Sequence, residues 1–124
     1  MILLIGGKGQ GKLAYALQKT GAAPQDVATA PMDAGSKPIL TGLETWLKGE
    51  SDPMPALQAL LKRNPEVVIL CDEVGCGVVP MEKKERDWRE RVGRTCCALA
   101  EQAERVERLF CGIPTVLKGD GPWN

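Results

Sequence analysis

The strongest constraint on the fold lies near the amino terminus, where an apolar segment runs directly into a glycine-rich loop. Residues 2–5 are continuously apolar, which is typical of a strand that is buried on both faces. The loop "GGKGQGK" follows, and residues 12–19 then form a helix-favouring segment that stops near Gly21. A strand, a glycine loop and a helix in this order predict an α/β domain.

The rest of the chain continues this alternation. Residues 67–71 ("VVILC") are apolar and rich in β-branched side chains, which predicts a strand in the middle of a parallel sheet. Further strands are predicted at 26–30, 39–40, 106–111 and 115–117, with a turn at Gly112, Ile113 and Pro114. Helices are predicted around Leu43, Trp46 and Leu47, and over 56–63 and 82–105. The predicted fold class is α/β, a three-layer sandwich with a mostly parallel central sheet.

Length and charge narrow the functional classes. The 124 residues are enough for one domain, so residues 1–124 are taken as a single unit. Sixteen basic residues balance sixteen acidic ones, which argues against a general nucleic-acid binder. No apolar run is long enough to span a bilayer, so we expect no membrane span and a cytoplasmic location.

The chain contains no histidine, which removes an imidazole base, a histidine nucleophile and a histidine metal ligand. Its five cysteines are odd in number and form no C-x-x-C pair, so no metal-ligating residues are assigned. The simplest interpretation is that these thiols are reduced and partly buried.

The glycine loop is the first candidate site. Gly6, Gly11 and Lys12 match the spacing G-x-x-x-x-G-K, in which backbone N–H groups and a lysine hold phosphate oxygens. The alternative is a glycine-rich turn that binds nothing. A dinucleotide loop does not fit, because Lys12 stands where its third glycine belongs. The predicted phosphate-binding residues are Gly6, Gly7, Lys8, Gly9, Gln10, Gly11, Lys12 and Leu13. For Lys8, contact with phosphate and an orientation toward solvent both stay open.

Leu13 sets this loop apart, since it stands where a phosphate loop carries serine or threonine. That hydroxyl normally ligates the Mg²⁺ that bridges the outer phosphates. Backbone amides and Lys12 can still bind phosphate, and water can take the vacant coordination position. We therefore expect a nucleotide cofactor, with Mg²⁺ held only weakly.

Four segments together resemble the adenosylcobinamide kinase/adenosylcobinamide-phosphate guanylyltransferase family. Members typically carry "GGARSGKS", then "NEVG.GIVP", then "R.FRD..GR.NQ.LA", and end in "GIP..LK". The counterparts here occur in the same order and cover most of the chain: residues 6–13, "DEVGCGVVP" at 72–80, "RDWRERVGRTCCALA" at 86–100, and 112–118. The string E-V-G-x-G-V-V-P is the most specific of them.

The resemblance implies a P-loop, RecA-like fold, often assembled as a trimer, and hence a homo-oligomer. It also implies GTP or ATP as the nucleotide and cobinamide as the partner substrate. The family phosphorylates the aminopropanol side chain of cobinamide and then transfers GMP through a guanylyl-histidine intermediate. No catalytic residue is assigned, and Lys12 is the first candidate if this chain is active.

The chain departs from the family pattern in four places. The loop hydroxyl is replaced by Leu13, and the segment with the guanylylated histidine is largely missing. Thr41 takes the place of an acidic residue that helps to hold Mg²⁺, with Asp33 and Glu44 nearby but not at matching positions. The "NQ" pair is replaced by two cysteines. Guanylyl transfer as the family performs it is therefore excluded.

Glu73 is the last predicted binding residue, because it follows a central strand at the edge where α/β sheets bind ligands. Alternatively, its carboxylate caps the turn at Gly75 and Gly77. Three functions stay open at this point: a cobinamide kinase with reduced or altered chemistry, a nucleotide-binding homologue without catalysis, and a remnant that binds nothing specific.

Overall fold

The computed structural model describes residues 1–74, 82–120 and 123. Within these residues, six strands and four α-helices follow one another, and three short 3₁₀ turns lie between them. The strands are β1 (Ile2–Gly6), β2 (Val27–Ala28), β3 (Ile39–Leu40), β4 (Val68–Asp72), β5 (Arg105–Phe110) and β6 (Ile113–Lys118). The helices are α1 (Lys12–Thr20), α2 (Leu43–Trp46), α3 (Met54–Arg63) and α4 (Lys83–Gln102).

All six strands form one sheet in the order β2-β3-β4-β1-β5-β6. Every neighbouring pair is parallel except β5 and β6, which are antiparallel. The predicted mostly parallel sheet is thus confirmed, and β4 lies inside it as expected. In the register of the central strands, Gly6 lies beside Asp72 on one side and Leu109 on the other. This register brings the ends of three strands together where the glycine loop begins.

Helices cover both faces of the sheet. Helix α1 packs through Ala16 on a small apolar layer that includes Leu4, Leu70 and Leu109. On the other face a larger layer is formed by side chains from α2, α3, α4 and the sheet. Its fully buried members include Leu43, Leu47, Leu57, Leu60, Ile69 and Leu99. The three-layer α/β sandwich is confirmed.

The turn between β5 and β6 differs from its prediction. The chain reverses at Cys111 and Gly112, whose φ angles of 54° and 74° are both in the left-handed region. Two successive residues of this kind complete the turn, so Ile113 and Pro114 already belong to β6. Proline is tolerated there because β6 is an edge strand. All six residues of β6 are exposed.

Smaller differences concern the ends of elements. Helix α4 ends at Gln102 rather than at 105, because Ala103 and Glu104 lead into β5. Strand β4 includes Asp72, one residue beyond the predicted strand. The predicted loop at 72–80 lies outside the described residues from position 75 onward. Within the described ranges, no helix combines the length and apolar character needed to cross a membrane.

Candidate phosphate-binding site

The glycine loop starts where β1 ends, and its first glycine is required by the neighbouring strand. A Cβ atom on Gly6 would lie 2.6 Å from the backbone oxygen of Leu109. Gly9 and Gly11 have φ angles of 74° and 89°, which other residues adopt only with strain. Gly11 immediately precedes α1, so the loop ends at a helix amino terminus. No acidic side chain lies in the first turn of α1, which keeps its N-terminal dipole available to an anion.

Lys12 is the centre of the site. Its side chain is only 8% exposed, and its ammonium nitrogen lies 2.7 Å from Asp72 Oδ1. It also donates hydrogen bonds of 3.0 and 2.8 Å to the carbonyl oxygens of Gly6 and Gly7. An ammonium group has three N–H donors, so these three acceptors use all of them. A phosphate that binds Lys12 must therefore replace at least one of these contacts.

Asp72 is a site residue that sequence reasoning missed. It ends β4 beside Gly6, and its carboxylate contacts Lys12. Its backbone N–H donates a 2.8 Å hydrogen bond to Glu44 Oε1, so α2 fixes the end of the strand. The signal was present in the sequence: an acidic residue directly follows the apolar run "VVILC". The sequence analysis predicts Glu73 as a binding residue and Thr41 as the replacement of an acidic residue, and it does not single out Asp72.

These residues surround one cleft of about 380 Å³, here called the glycine-loop cleft. It brings together the loop, the start of α1 and the ends of β3 and β4. Its lining residues are Gly9, Gln10, Gly11, Lys12, Leu13, Ala14, Thr41, Leu70 and Asp72. Leu13 is 39% exposed at this lining, and its side chain has no oxygen that could bind a metal ion. Lys8 is exposed and lies outside the lining.

Gln10 attaches the loop to the β5–β6 turn. Its side-chain Oε1 accepts a 2.7 Å hydrogen bond from the backbone N–H of Cys111. Its backbone oxygen accepts a second, of 2.8 Å, from the N–H of Gly112. A Cβ on Gly11 would lie 3.3 Å from Gly112 Cα, so the turn packs directly against the loop. In both hydrogen bonds the loop supplies the accepting oxygen and the turn supplies the N–H donor. The turn therefore holds the loop in place without occupying the loop's backbone N–H groups.

Glu73 is not part of the cleft lining. Its carboxylate accepts two hydrogen bonds from Arg108, at 2.7 and 3.0 Å, in a bidentate ion pair. Its backbone N–H donates a 2.8 Å hydrogen bond to Gly6 O, so the main chain, rather than the side chain, touches the loop. The alternative role as a cap for Gly75 and Gly77 lies outside the described residues. Ligand binding by Glu73 stays a prediction.

A Mg²⁺ ion would find few protein ligands here. Among the residues that the structure describes, no group of three histidine, cysteine or acidic side chains is close enough to hold a metal. Asp33 is exposed and lies outside the cleft lining, while Glu44 binds the backbone of Asp72. Among the described residues that line the cleft, Asp72 supplies the carboxylate. Mg²⁺ is commonly held by one or two carboxylates together with substrate phosphates and water, so this donor set fits a weakly held ion.

The fold and the loop define an α/β protein of the P-loop class. A family model described as cobinamide kinase / cobinamide phosphate guanyltransferase matches residues 41–117. This match covers more than half of the chain, and the chain belongs to that family. The glycine loop lies before the matched residues, so its assignment rests on its own geometry.

Two relatives show how far the likeness extends. The bifunctional adenosylcobalamin biosynthesis protein CobP of Pseudomonas aeruginosa is 32% identical over 74 residues, which are 60% of this chain and 42% of the relative. Cytokinin dehydrogenase 5 of Oryza sativa subsp. japonica is 35% identical over 54 residues, 41% of this chain and 10% of the relative. The matched region thus spans less than half the length of either relative.

Proposed function

We propose that this chain binds the phosphates of GTP or ATP in the glycine-loop cleft. The observation that carries the proposal is the position of Lys12, a buried cation at the base of a loop that ends at a helix amino terminus. Helix amino termini and glycine loops attract phosphate through backbone N–H groups and the helix dipole. Family membership adds support, since its description names a kinase and a guanyltransferase.

Phosphate binding requires a change in the contacts of the Lys12 side chain. The Lys12 ammonium exchanges Asp72 or a loop carbonyl for a phosphate oxygen, and Asp72 then faces the negative charge of the phosphates. A divalent cation between carboxylate and phosphate would relieve that repulsion, so we expect Mg²⁺ to strengthen binding. When bound, Mg²⁺ supplies charge neutralisation on the outer phosphates.

The test of phosphate binding compares two lysines of the same loop. Lys12→Ala should weaken GTP and ATP binding at least about tenfold, because a hydrogen bond to a charged group contributes about 1.5–3 kcal/mol. Isothermal titration calorimetry gives the dissociation constants. Lys8→Ala, at an exposed position, is the matched control and should change them little. Equal affinities for the wild-type protein and Lys12→Ala would contradict the proposal.

A second candidate function is phosphoryl transfer to cobinamide, and Asp72 is the observation that favours it. Sequence reasoning counted Leu13 and Thr41 as lost magnesium ligands, but the structure places a carboxylate beside Lys12. P-loop enzymes hold Mg²⁺ with a strand-terminal Asp of this kind. The chain has no histidine, so it cannot form a guanylyl-histidine of its own. A cytoplasmic location and a homo-oligomer remain predictions.

Asp72→Asn separates the two roles of this carboxylate. Without metal, the substitution removes a competitor for Lys12, so triphosphate should bind several-fold more tightly than to the wild-type protein. With Mg²⁺, the gain in affinity that the wild-type protein shows should shrink, because the carboxylate ligand is lost. Asp33→Asn, at an exposed acidic residue outside the cleft, is the control.

Turnover is measured in the same set of proteins with cobinamide, a nucleoside triphosphate and Mg²⁺. Kinase activity predicts phosphorylated cobinamide from the wild-type protein and from Asp33→Asn, and its loss in Lys12→Ala and Asp72→Asn. Nucleotide binding without any product at high protein concentration would instead identify a homologue that binds but does not catalyse.

A further inference from the structure

The hairpin of β5 and β6 touches the glycine loop at both of its ends. Where the loop begins, a Cβ on Gly6 would lie 2.6 Å from the backbone oxygen of Leu109, so the chain leaves β1 in direct contact with β5. Where the loop ends, a Cβ on Gly11 would lie 3.3 Å from the Cα atom of Gly112 in the turn. One element outside the loop therefore borders the whole proposed phosphate site.

The loop itself has a backbone that needs support. Four of its seven residues at positions 6–12 are glycine, the residue with the most backbone freedom to lose on ordering. Inside the loop, the Gln10 N–H donates a 3.3 Å hydrogen bond to Gly7 O, and the Lys12 ammonium binds two loop carbonyls. A phosphate competes for that ammonium group, so the contribution of Lys12 to the shape of the loop weakens when the site fills.

Gln10 makes the connection from the loop to the turn. Its side-chain Oε1 accepts a hydrogen bond from the N–H of Cys111, and its backbone oxygen accepts one from the N–H of Gly112. Two acceptors on one residue meet two successive donors, which fixes both the position and the orientation of the loop. Gln10 also lines the glycine-loop cleft, so this restraint acts at the site itself.

The turn is a suitable anchor because its own geometry is fixed. Cys111 and Gly112 both have positive φ angles, the pattern of a two-residue type I′ hairpin turn. Phe110 and Ile113 pair directly across it. Strand β5 pairs on its other side with β1, so the turn is attached to the centre of the sheet.

We propose that the β5–β6 turn is part of the phosphate site, and that Gln10 is the positioning residue through which the turn presets the loop. This inference rests on the proposed function, since it concerns how the loop binds a nucleoside triphosphate. A loop that already has its binding conformation spares the ligand the entropic cost of ordering it. Loss of the Gln10 contact therefore lowers affinity while Lys12 and the loop N–H groups stay in place.

The first test removes the acceptor. Gln10→Leu has a similar size and cannot accept a hydrogen bond, so GTP should bind about three- to tenfold more weakly in isothermal titration calorimetry. Amide hydrogen exchange, followed by NMR without ligand, reports the contact directly. The Cys111 amide should be protected in the wild-type protein and exchange faster in Gln10→Leu. An unprotected Cys111 amide in the wild-type protein would overturn the proposal, whatever the variants do.

The matched pair of variants changes the turn from outside the cleft. Cys111 is exposed and does not line the cleft, and only its backbone takes part in the contact. Cys111→Val places a β-branched residue at a positive φ angle and should weaken GTP binding as Gln10→Leu does. Cys111→Asn places there a residue that such turns favour and should keep the wild-type affinity. Both variants lose the thiol, so their difference reports the turn.

The double variant Gln10→Leu/Cys111→Val decides how Gln10 acts. It should bind GTP about as weakly as either single variant, because both substitutions break the same connection. Losses that multiply would overturn the proposal, since Gln10 would then act independently of the turn. Unchanged affinity in Gln10→Leu, with weakened binding in Lys12→Ala, would overturn this inference alone and leave triphosphate binding standing. A wild-type protein that binds no triphosphate would overturn both.

Discussion

At the scale of single residues, the least expected feature is a buried polar group beneath helix α1. Glu107 is fully buried in β5, where its carboxylate pairs with the guanidinium of Arg105. Its other oxygen accepts a hydrogen bond from the hydroxyl of Tyr15 on α1. A buried carboxylate is tolerated only when both of its oxygens have partners, and this one has them. Trp123 packs edge-on against the Tyr15 ring, with centroids 5.7 Å apart.

This network predicts a pH dependence of stability. Burial, followed by the hydrogen bond to Glu107 and its charge, raises the pKa of Tyr15 from 10.0 to about 12, against a lowering influence of Arg105. Because the folded pKa exceeds the unfolded one, the stabilisation is complete below pH 10 and is lost as pH rises toward 12. Tyr15 is the only tyrosine of the chain, so its absorbance titration reports this pKa directly.

Tyr15→Phe is the matching variant. It should lower the free energy of unfolding by about 1–2 kcal/mol at neutral pH, since it leaves one Glu107 oxygen without its donor. The difference from the wild-type protein should shrink between pH 10 and pH 12, measured by urea denaturation at each pH. A difference that stays constant over this range would show that folding does not raise the pKa of Tyr15.

At the scale of elements, the contact between β1 and β5 decides where the glycine loop can start. A side chain at position 6 would strike backbone rather than a flexible side chain, because Leu109 O lies 2.6 Å from the ideal Cβ position. Gly6→Ala should therefore separate the two central strands and lower the free energy of unfolding by about 2 kcal/mol or more. Thermal or urea unfolding measures the change.

A second glycine, Gly93, gives a control for which the expected change in the free energy of unfolding has the opposite sign. Gly93 lies inside α4, where an added Cβ would meet nothing within 4 Å. Gly93→Ala removes backbone freedom from the unfolded chain and should raise the free energy of unfolding by about 0.5–1 kcal/mol. If both variants destabilised the protein equally, strand contact would not be the reason for glycine at position 6.

Sequence reasoning predicted the elements more reliably than their ends. The order of strands and helices follows from apolar periodicity and from glycine and proline, which act locally. The end of β4 was placed one residue early because Asp72 is polar, and polarity alone favours a loop. Its side chain is kept in the strand by Lys12 and its backbone by Glu44, and neither contact can be read from local sequence.

At the scale of the whole molecule, the larger of the two apolar layers lies between the sheet and helices α2, α3 and α4. Leu99 of α4 is fully buried in this layer, while Leu117 of β6 is 56% exposed. Leu99→Ala should lower the free energy of unfolding by about 2–5 kcal/mol, through lost burial and the cavity left behind. Leu117→Ala, the same substitution at the edge strand, should cost far less in the same denaturation experiment.

The sequence by itself determined the α/β class, the family and the position of the glycine loop. All three depend on patterns of neighbouring residues: apolar runs, glycine spacing and short motifs in a fixed order. It also determined that histidine chemistry is absent from this chain, since that is a matter of composition.

Only the tertiary structure decided which side chains share the site. The parallel register places Asp72 beside Gly6 and so against Lys12, while Glu73, one residue on, pairs with Arg108. Adjacent residues at a strand end leave in different directions, so one step along the chain changes the partner completely.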